Sequence, residues 1–375
     1  MKHHNLLKII TLTLASFALA HLVHAEEEPS PALIKAVFIS EARLRTLKSR
    51  VEHKAEPTWS AWLILKKSAE SALDREPHAP TEWFVPFFYE DPDGHTKAKE
   101  GLQDDANAAY SLALVYRMTD DERYAQVAAR LINAWGAEVK NLKREEDSCL
   151  SFSYHFPALI IAASLLKDSE SWPTGEQEAF RRFVREKALP LNTMSRKNNW
   201  GNWGLVLVLA CAAYTDDPSL LERGATRWKE FTESQVAADG HLIHEVNRGG
   251  FGRKGDSGLW YSNFSLLPQT IAAEILRVNG VDIYEYESPS GRSLRQAFEW
   301  LAPWIREPER FPYFQGGDGK QPGGAGYVSY FEILNAHWPH SDAMAVLERL
   351  RPLSARHSTP WLTFTHGDLL NDARE

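Results

Sequence analysis

Apolar residues recur three and four positions apart along most of the chain, which is the spacing of amphipathic helices. Alternation of apolar and polar residues, which would indicate strands, is sparse. The predicted helices cover residues 59–73, 106–118, 122–139, 156–166, 174–189, 200–214, 218–236, 263–279, 291–304, 327–336 and 341–350. The connections rich in Gly and Pro are residues 76–100, 240–258 and 308–326. The pattern therefore predicts an all-α protein made of paired helices.

One predicted helix differs from the others because residues 205–213 are apolar on every face. This segment is too short to span a membrane and is typical of a helix enclosed by other helices. Paired helices without a sheet can pack as a bundle, a superhelix or a closed α/α toroid, and a toroid has such an inner layer. Periodicity alone does not choose among the three, and the absence of a strict repeat disfavours a standard solenoid.

The first 25 residues have the features of a secretory signal peptide. Lys2 and Lys8 give the N-terminal segment a positive charge, an apolar run covers residues 9–23, and Ala25 ends a plausible cleavage site. The run is short for a transmembrane helix, which needs about 20 apolar residues; an uncleaved anchor is the alternative. We expect a periplasmic or secreted protein, with no membrane attachment after cleavage and a single domain over residues 26–375.

Composition limits the classes of ligand. The formal net charge of −8 argues against a nucleic-acid-binding surface, so an anionic ligand would need a local cluster of cations. The 13 tryptophans suit sugar rings, although core packing is their commonest role. Cys149 and Cys211 form no disulfide framework, and whether they pair is open. No spacing suggests zinc, so we expect no cofactor, with a structural metal left open.

The densest cluster of candidate residues stands at the start of the enclosed helix. It reads Lys197-Asn198-Asn199-Trp200-Gly201-Asn202-Trp203. A structural interpretation is available, because Asn is a favoured N-cap and tryptophans pack in cores. The functional interpretation is that Asn amides and the N–H groups of a helix N-terminus gather around an anion.

A second cluster covers residues 239–264. Within about 20 residues it contains two histidines, three cations, a tryptophan and a tyrosine, namely His241, His244, Arg248, Arg253, Lys254, Trp260 and Tyr261. Its glycines lack the strand–turn–helix context of a nucleotide-binding fingerprint. A plain surface loop is the alternative interpretation, but we expect residues 249–258 to form a mobile segment that closes over a ligand.

The two clusters, in this order, resemble the alginate lyases of polysaccharide lyase family 5. That family carries Asn-Asn-His-x-x-Trp and later an Arg followed by Tyr-x-Asn-Phe; this chain has Asn198 to Trp203, then Arg248 and Tyr261-Ser262-Asn263-Phe264. The resemblance covers most of residues 79–277. In two departures, Trp200 replaces the family histidine and the Arg-to-Tyr interval is longer. The glucuronan and alginate lyases of family 38 are the alternative relatives.

The resemblance implies an α/α toroid and a lyase that cleaves a 1,4-linked polyuronate, either mannuronate-rich alginate or glucuronan. In that mechanism Asn199 and Arg248 neutralise the uronate carboxylate while Tyr261 is the base and then the acid. The cations Arg248, Arg253 and Lys254 could help the phenol of Tyr261 to lose its proton.

The other candidate residues have supporting roles. Because Trp200 replaces the family histidine, another histidine could take its role, and His155 is slightly favoured over His241 and His244. The candidate substrate-binding residues are Asn198, Trp200, Trp203, His244, Arg253, Lys254 and Trp260.

Two other functions remain open. An α/α-toroid glycoside hydrolase would need two carboxylates flanking the scissile bond, and Asp105, Glu245 and Asp256 are the candidates. A non-catalytic protein that binds acidic polysaccharide would need the aromatic and cationic residues without Tyr261. The expected partner is an acidic polysaccharide.

Overall fold

The computed structural model describes residues 36–249, 255, 257–315, 325–353 and 357–368. The expected signal peptide and most of the expected mobile segment, including Arg253 and Lys254, lie outside these described residues. The fold below is that of the unit that begins at Ile34 and contains every described residue.

α-Helices make up nearly all of the regular structure. They are α1 (Glu41–Glu52), α2 (Thr58–Ser71), α3 (Pro92–Thr119), α4 (Glu122–Glu138), α5 (Ser148–Leu165), α6 (Thr174–Phe183), α7 (Asn199–Thr215), α8 (Pro218–Gln235), α9 (Gly258–Val278), α10 (Leu294–Arg306), α11 (Phe331–His337), α12 (Ser341–Leu350) and α13 (Leu362–His366). Two short strands, β1 (Glu82–Trp83) and β2 (Asn141–Leu142), pair in parallel. The predicted all-α class is confirmed.

The helices form an inner and an outer layer. Helices α3, α5, α7 and α9 are neighbours in that order, while α2, α4, α8 and α10 pack against them. All of α5 except Leu150 is buried, and all of α7 is buried except Trp200 and Thr215. The enclosed helix predicted from residues 205–213 is therefore confirmed as part of α7.

The apolar character of α5 is that of a core helix. Among the described residues, it is long and apolar enough to cross a membrane by length and composition, with a mean hydropathy of 1.4. However, 94% of it is buried within the protein. A helix enclosed in a globular core has the same apolar composition, because all of its faces contact other helices.

Three helices begin earlier than periodicity predicted. Helix α3 starts at Pro92, inside the predicted connection 76–100, because Asp91 caps it by accepting a hydrogen bond from the Gly94 N–H at 2.9 Å. Helix α5 starts at Ser148 instead of residue 156, so His155 lies within a helix instead of before one. Helix α9 starts at Gly258, which places Tyr261 in its first turn.

The start of α7 is held by a close approach to the preceding turn. The Thr193 hydroxyl donates a hydrogen bond to the Trp200 carbonyl at 2.5 Å. A Cβ added at Gly204 would lie 2.5 Å from the backbone nitrogen of Thr193 and would also meet the backbone nitrogen of Met194. Because backbone atoms cannot rotate away, only glycine allows this packing.

We expect Gly204→Ala to lower the free energy of unfolding by about 2 kcal/mol or more, because the added methyl overpacks the junction between α7 and the turn before it. The control is Gly175→Ala in α6, where an added Cβ meets no atom within 4 Å. That change should raise stability by about 0.5 kcal/mol. Urea unfolding followed by circular dichroism measures both, and equal effects would contradict the packing argument.

Candidate active site

A cavity of about 690 Å³ opens where the inner helices begin. Leu150 comes from the first turn of α5, Asn199 and Trp200 from the first turn of α7, and Tyr261 from the first turn of α9. The other lining residues are Phe87, Phe88, Tyr89, His95, Thr96, Lys99, Asp147, Tyr154, Arg248, Ser257, Trp260, Phe264, Tyr327 and His357. The wall is therefore largely aromatic, with a few polar groups at defined positions.

Asn199 is held by a buried carboxyl group. Its backbone N–H donates to Glu245 Oε1 at 2.8 Å, and its side-chain Nδ2 lies 3.1 and 3.0 Å from the two carboxyl oxygens. Burial raises the pKa of Glu245 to about 7, although the hydrogen bonds from Asn199 and the charge of Arg248 act in the opposite direction. The amide that was predicted to bind an anion is thus hydrogen-bonded to a buried carboxyl group.

Arg248 and Tyr261 are in direct contact in the cavity. The Arg248 guanidinium lies 4.3 Å from the centre of the Tyr261 ring, and the Tyr261 hydroxyl lies 2.5 Å from the hydroxyl of Tyr89. Burial and the Tyr89 hydrogen bond raise the pKa of Tyr261, and Arg248 lowers it by less. Arg248 therefore lowers the pKa of Tyr261, as the sequence predicted, but this effect is smaller than that of burial. Tyr261 is thus a neutral phenol at pH 7.

His95 and Asp147 form a second polar pair in the lining. His95 Nε2 lies 3.5 Å from Asp147 Oδ2, and that oxygen also accepts a hydrogen bond from the Phe88 N–H at 2.9 Å. Burial, with a smaller contribution from Lys99, lowers the pKa of His95 to about 4. Burial also raises the pKa of Asp147. At neutral pH the imidazole is therefore uncharged.

The structure does not bring His155 to the cavity surface. It is buried in α5 behind the lining, with its ring 4.4 Å from that of Tyr154 and 5.0 Å from that of His357. Neither ring nitrogen has a hydrogen-bond partner among the described residues, and burial lowers its pKa well below the usual value. The expectation that His155 points into a cleft needs correction, because the helix containing it starts earlier than predicted.

The two tryptophans of the first cluster have different environments. Trp200 is half-buried and lines the cavity, with the Arg196 guanidinium 5.3 Å from its ring centre. Trp203 is fully buried and packs against Tyr154 and Phe264. Trp203 is therefore a core residue and cannot stack on a sugar, which corrects its predicted role.

Trp260 also lines the cavity and was predicted to bind substrate. Its ring stacks on Phe264 with centres 4.8 Å apart and meets the Tyr261 ring edge-on at 4.7 Å. The Tyr-Ser-Asn-Phe motif thus supplies Tyr261 and Phe264 to the lining. Its Asn263 is buried and accepts a hydrogen bond from the Tyr330 hydroxyl at 2.8 Å.

Other predicted residues lie away from this cavity. Asn198 caps α7 by accepting a hydrogen bond from the Trp200 N–H at 3.3 Å. His244 lines a separate surface pocket of about 700 Å³ together with Lys197. His241 lies 2.6 Å from an Asp239 carboxylate oxygen.

Sequence reasoning missed several of the lining groups. Tyr89 and His95 fall in a segment that was predicted to be a connection, and no periodic signal marks them. Asp147 could have been found, because an aspartate directly before an apolar run is a typical N-cap. Here its side chain does not cap α5 and instead faces the Phe88 N–H.

The described part of the chain contains no group of three or more His, Cys, Asp or Glu side chains arranged to hold a metal ion. Cys149 and Cys211 are both buried and unpaired, which answers the question left open by the sequence.

Comparison with known proteins identifies relatives. Residues 72–311 match the family model described as alginate lyase. An alginate lyase of Pseudomonas fluorescens (strain Pf-5) is 28% identical over 133 residues, or 36% of this chain. A polysaccharide lyase of Stenotrophomonas maltophilia (strain K279a) is 27% identical over 143 residues, or 38% of this chain. The chain spans only 32% and 40% of the lengths of these two relatives.

The fold is also shared with a solved structure. Alginate lyase A1-III from Sphingomonas species A1 superimposes with a TM-score of 0.69 over 89% of this chain and 97% of that one, at 16% identity. A variant of alginate lyase A1-III complexed with a tetrasaccharide gives a TM-score of 0.71. This likeness is one of fold, and it confirms the α/α toroid that the resemblance implied.

We expect Trp203→Ala to lower the free energy of unfolding by about 3–5 kcal/mol, since it empties a fully buried site. The matched change is Trp200→Ala, which removes a half-buried indole of the same size from the cavity wall and should cost less than about 1.5 kcal/mol. Urea unfolding of the two variants gives the comparison. A larger loss of unfolding free energy for Trp200→Ala than for Trp203→Ala would contradict the assignment of Trp203 to the core and Trp200 to the cavity wall.

Proposed function

The chain belongs to the alginate lyase family, and from that premise we propose that it is a polysaccharide lyase that cleaves a 1,4-linked polyuronate by β-elimination. The observation that carries the proposal is that Asn199, Arg248 and Tyr261 line one cavity. The relatives' names and the tetrasaccharide bound to the A1-III variant support an acidic polysaccharide as the substrate.

The first requirement of this reaction is to neutralise a carboxylate. The proton at C5 of a uronate is weakly acidic while the adjacent carboxylate keeps its charge. Arg248 can hold that carboxylate with paired N–H donors, and Asn199 supplies an amide beside it. Because negative charge develops on the carboxylate as the C5–H bond breaks, these donors stabilise the enolate more than the ground state.

The second requirement is a proton carrier, and Tyr261 is the proposed one. Its phenol is neutral in the free site, so it must first lose its proton to act as a base. The Tyr89 hydroxyl at 2.5 Å offers an exit for that proton, since Tyr89 is 53% exposed. The phenolate then takes the C5 proton, the C4=C5 double bond forms, the C4–O4 bond breaks, and the proton passes to O4 of the leaving chain.

The remaining wall suits a chain of sugar rings. Trp200, Trp260 and Tyr327 offer aromatic surface on the lining of the cavity. Aromatic faces pack well on the apolar faces of pyranose rings, so these side chains would orient the sugars on either side of the scissile bond.

The stereochemistry favours some uronates over others. In mannuronate and glucuronate, the C5 proton and the C4 oxygen leave from the same side of the ring, so one residue can serve as base and acid. In guluronate they leave from opposite sides and need two residues. Tyr261 is the one strong candidate from the sequence, and Trp200 stands where the family has a histidine. We therefore propose syn elimination of mannuronate-rich alginate or glucuronan.

A glycoside hydrolase fits the cavity less well. Asp105 lies elsewhere, where it accepts hydrogen bonds from Arg75 Nε at 2.8 Å and from Trp135 Nε1 at 2.9 Å. Both oxygens of Glu245 contact Asn199. Asp147 is the only carboxylate among the described lining residues, whereas hydrolysis generally uses two.

The proposed site of action is the periplasm or the medium. The support is the pattern of the first 25 residues, a short positive start followed by an apolar run and Ala25. Mass spectrometry of the exported protein should give an N-terminus at Glu26. A mature protein that retains Met1 would contradict export by signal cleavage.

We expect the wild type to cleave polymannuronate or polyglucuronate with the ultraviolet absorbance of a C4=C5 double bond, and to act more slowly on polyguluronate. Tyr261→Phe keeps the ring over Arg248 but removes the proton carrier, so activity should fall by about 10²–10⁴. A panel of the three polymers measures both effects.

Each alternative gives a different result in that panel. New reducing ends without the absorbance would indicate a hydrolase, and binding without cleavage would indicate a binding protein. A preference for polyguluronate would contradict the stereochemical argument, and substantial activity of Tyr261→Phe would remove Tyr261 from the mechanism.

A further inference from the structure

Glu245 connects the two groups that are proposed to hold the substrate carboxylate. Its side chain, in a residue only 1% exposed, accepts hydrogen bonds from the backbone N–H and from Nδ2 of Asn199. Its backbone carbonyl accepts the N–H of Arg248 at 2.9 Å. We propose that Glu245 is a positioning residue that sets the orientation of the Asn199 amide and takes up a proton when the uronate carboxylate binds. This inference rests on the proposed function.

The first step of the argument is electrostatic. A uronate carboxylate held by Asn199 and Arg248 would lie near the carboxyl group of Glu245, and two negative charges in a desolvated site oppose each other. One guanidinium cannot neutralise both of them. Proton uptake by Glu245 removes the conflict and leaves Arg248 to the substrate.

The charged and titratable groups around Glu245 support this assignment. On its own turn the neighbours are Arg248 and His244, and His244 faces the separate pocket with Lys197, which precedes α7. From α9, Tyr261 lies beyond the guanidinium of Arg248. The lining formed by α3 and the start of α5 supplies the other titratable groups of the cavity, which are His95, Lys99 and Asp147. Arg248 is therefore the cation that acts on Glu245, and the substrate would compete for it.

The second step concerns the amide of Asn199. Nδ2 points at Glu245, and Oδ1 has no hydrogen-bond partner among the residues that the structure describes. At least one of the two Nδ2–H donors is thus engaged by Glu245 while the acceptor oxygen is unpaired, whereas a carboxylate needs donors. Once Glu245 holds a proton, its O–H can donate to Oδ1 after the amide has turned over. Nδ2 then donates to the substrate, and the proton has come from solvent.

The required proton is available near neutral pH. Burial already raises the pKa of Glu245 to about 7 without substrate. A bound carboxylate raises it further, so by linkage the substrate binds best when Glu245 is protonated. Affinity should therefore be greatest below pH 7 and should weaken above it by up to about tenfold per pH unit.

The test is a count of protons taken up on binding. A mannuronate tetramer is titrated calorimetrically into the Tyr261→Phe protein, in which turnover is expected to be about 10²–10⁴-fold slower, in buffers of different ionisation enthalpy. We expect uptake that rises between pH 6 and pH 8 toward about one proton. Adding Glu245→Gln should abolish the uptake, while adding Asp147→Asn, which removes the carboxylate of the described cavity lining, should preserve it.

Kinetics with Tyr261 intact provide a second readout. Glu245→Ala should lower kcat/KM by about 10–100-fold, since the amide of Asn199 loses its anchor. Glu245→Gln supplies a neutral donor and acceptor like those of the protonated carboxyl group, so it should keep more activity and should flatten the rise of KM above pH 7. Glu245→Asp keeps a carboxyl group and should restore part of the pH dependence. A purely structural role would lower activity without changing the shape of the pH profile.

The outcomes separate this inference from the proposed function. No proton uptake near pH 7, or uptake that persists in Glu245→Gln and disappears in Asp147→Asn, would overturn the role of Glu245 while cleavage by the wild type continued. A wild type that neither binds nor cleaves any polyuronate would overturn the proposed function and this inference with it. If Glu245→Gln fails to fold, the proton uptake of the Tyr261→Phe protein is compared with and without Asp147→Asn. Uptake that disappears with Asp147→Asn would contradict the role of Glu245, and uptake that remains would support it.

Discussion

A helix that is apolar on every face can present polar chemistry only at its ends, and this constraint determines where the site lies. Helices α5 and α7 are enclosed by the other helices along nearly their whole lengths. Their exceptions near the N-terminus are Leu150 and Trp200, and both line the cavity. The N-terminal end of α7 also brings backbone N–H groups, which favour negative charge nearby. The core and the site are therefore parts of one arrangement.

Burial also sets the charge of the cavity. It raises the pKa of Glu245, Asp147 and Tyr261 and lowers that of His95, so each shift favours the neutral form. Against this background the guanidinium of Arg248 keeps its charge. An anionic ligand thus meets a fixed cation, for which Glu245 competes only in its charged form. Burial also raises the pKa of the Tyr261 phenol, so this group loses its proton less readily. The proposed mechanism therefore depends on the contact between Tyr261 and the half-exposed Tyr89.

The sequence predicted the parts of the fold and site that depend on local pattern. Asn199 and Tyr261 belong to short motifs, and the motif that contains Asn199 begins one of the two most apolar helices. Tyr89 could not be found in this way, because its contact with Tyr261 joins residues 172 positions apart. The wrong assignment of Trp203 to the substrate-binding residues has a similar cause: when a helix is apolar all round, periodicity does not distinguish the positions that line a cavity from those in the core. The mobile segment expected at residues 249–258 remains a prediction, since Arg253 and Lys254 lie outside the described chain.

Trp200 at the place of the family histidine changes what the proposed site can do. The three histidines near the cavity are poor replacements for a base at that position. His155 is buried behind the lining, and burial lowers the pKa of His95 to about 4, which makes it a weak base. The His357 ring stacks on Tyr327 with centres 5.3 Å apart, so it forms part of the aromatic wall. An indole can pack against a sugar but cannot carry its proton, so the proposed mechanism assigns to Tyr261 both the removal of the C5 proton and its return to O4. A site with one proton carrier on one face of the sugar is limited to syn elimination, and the wall opposite is then available for binding.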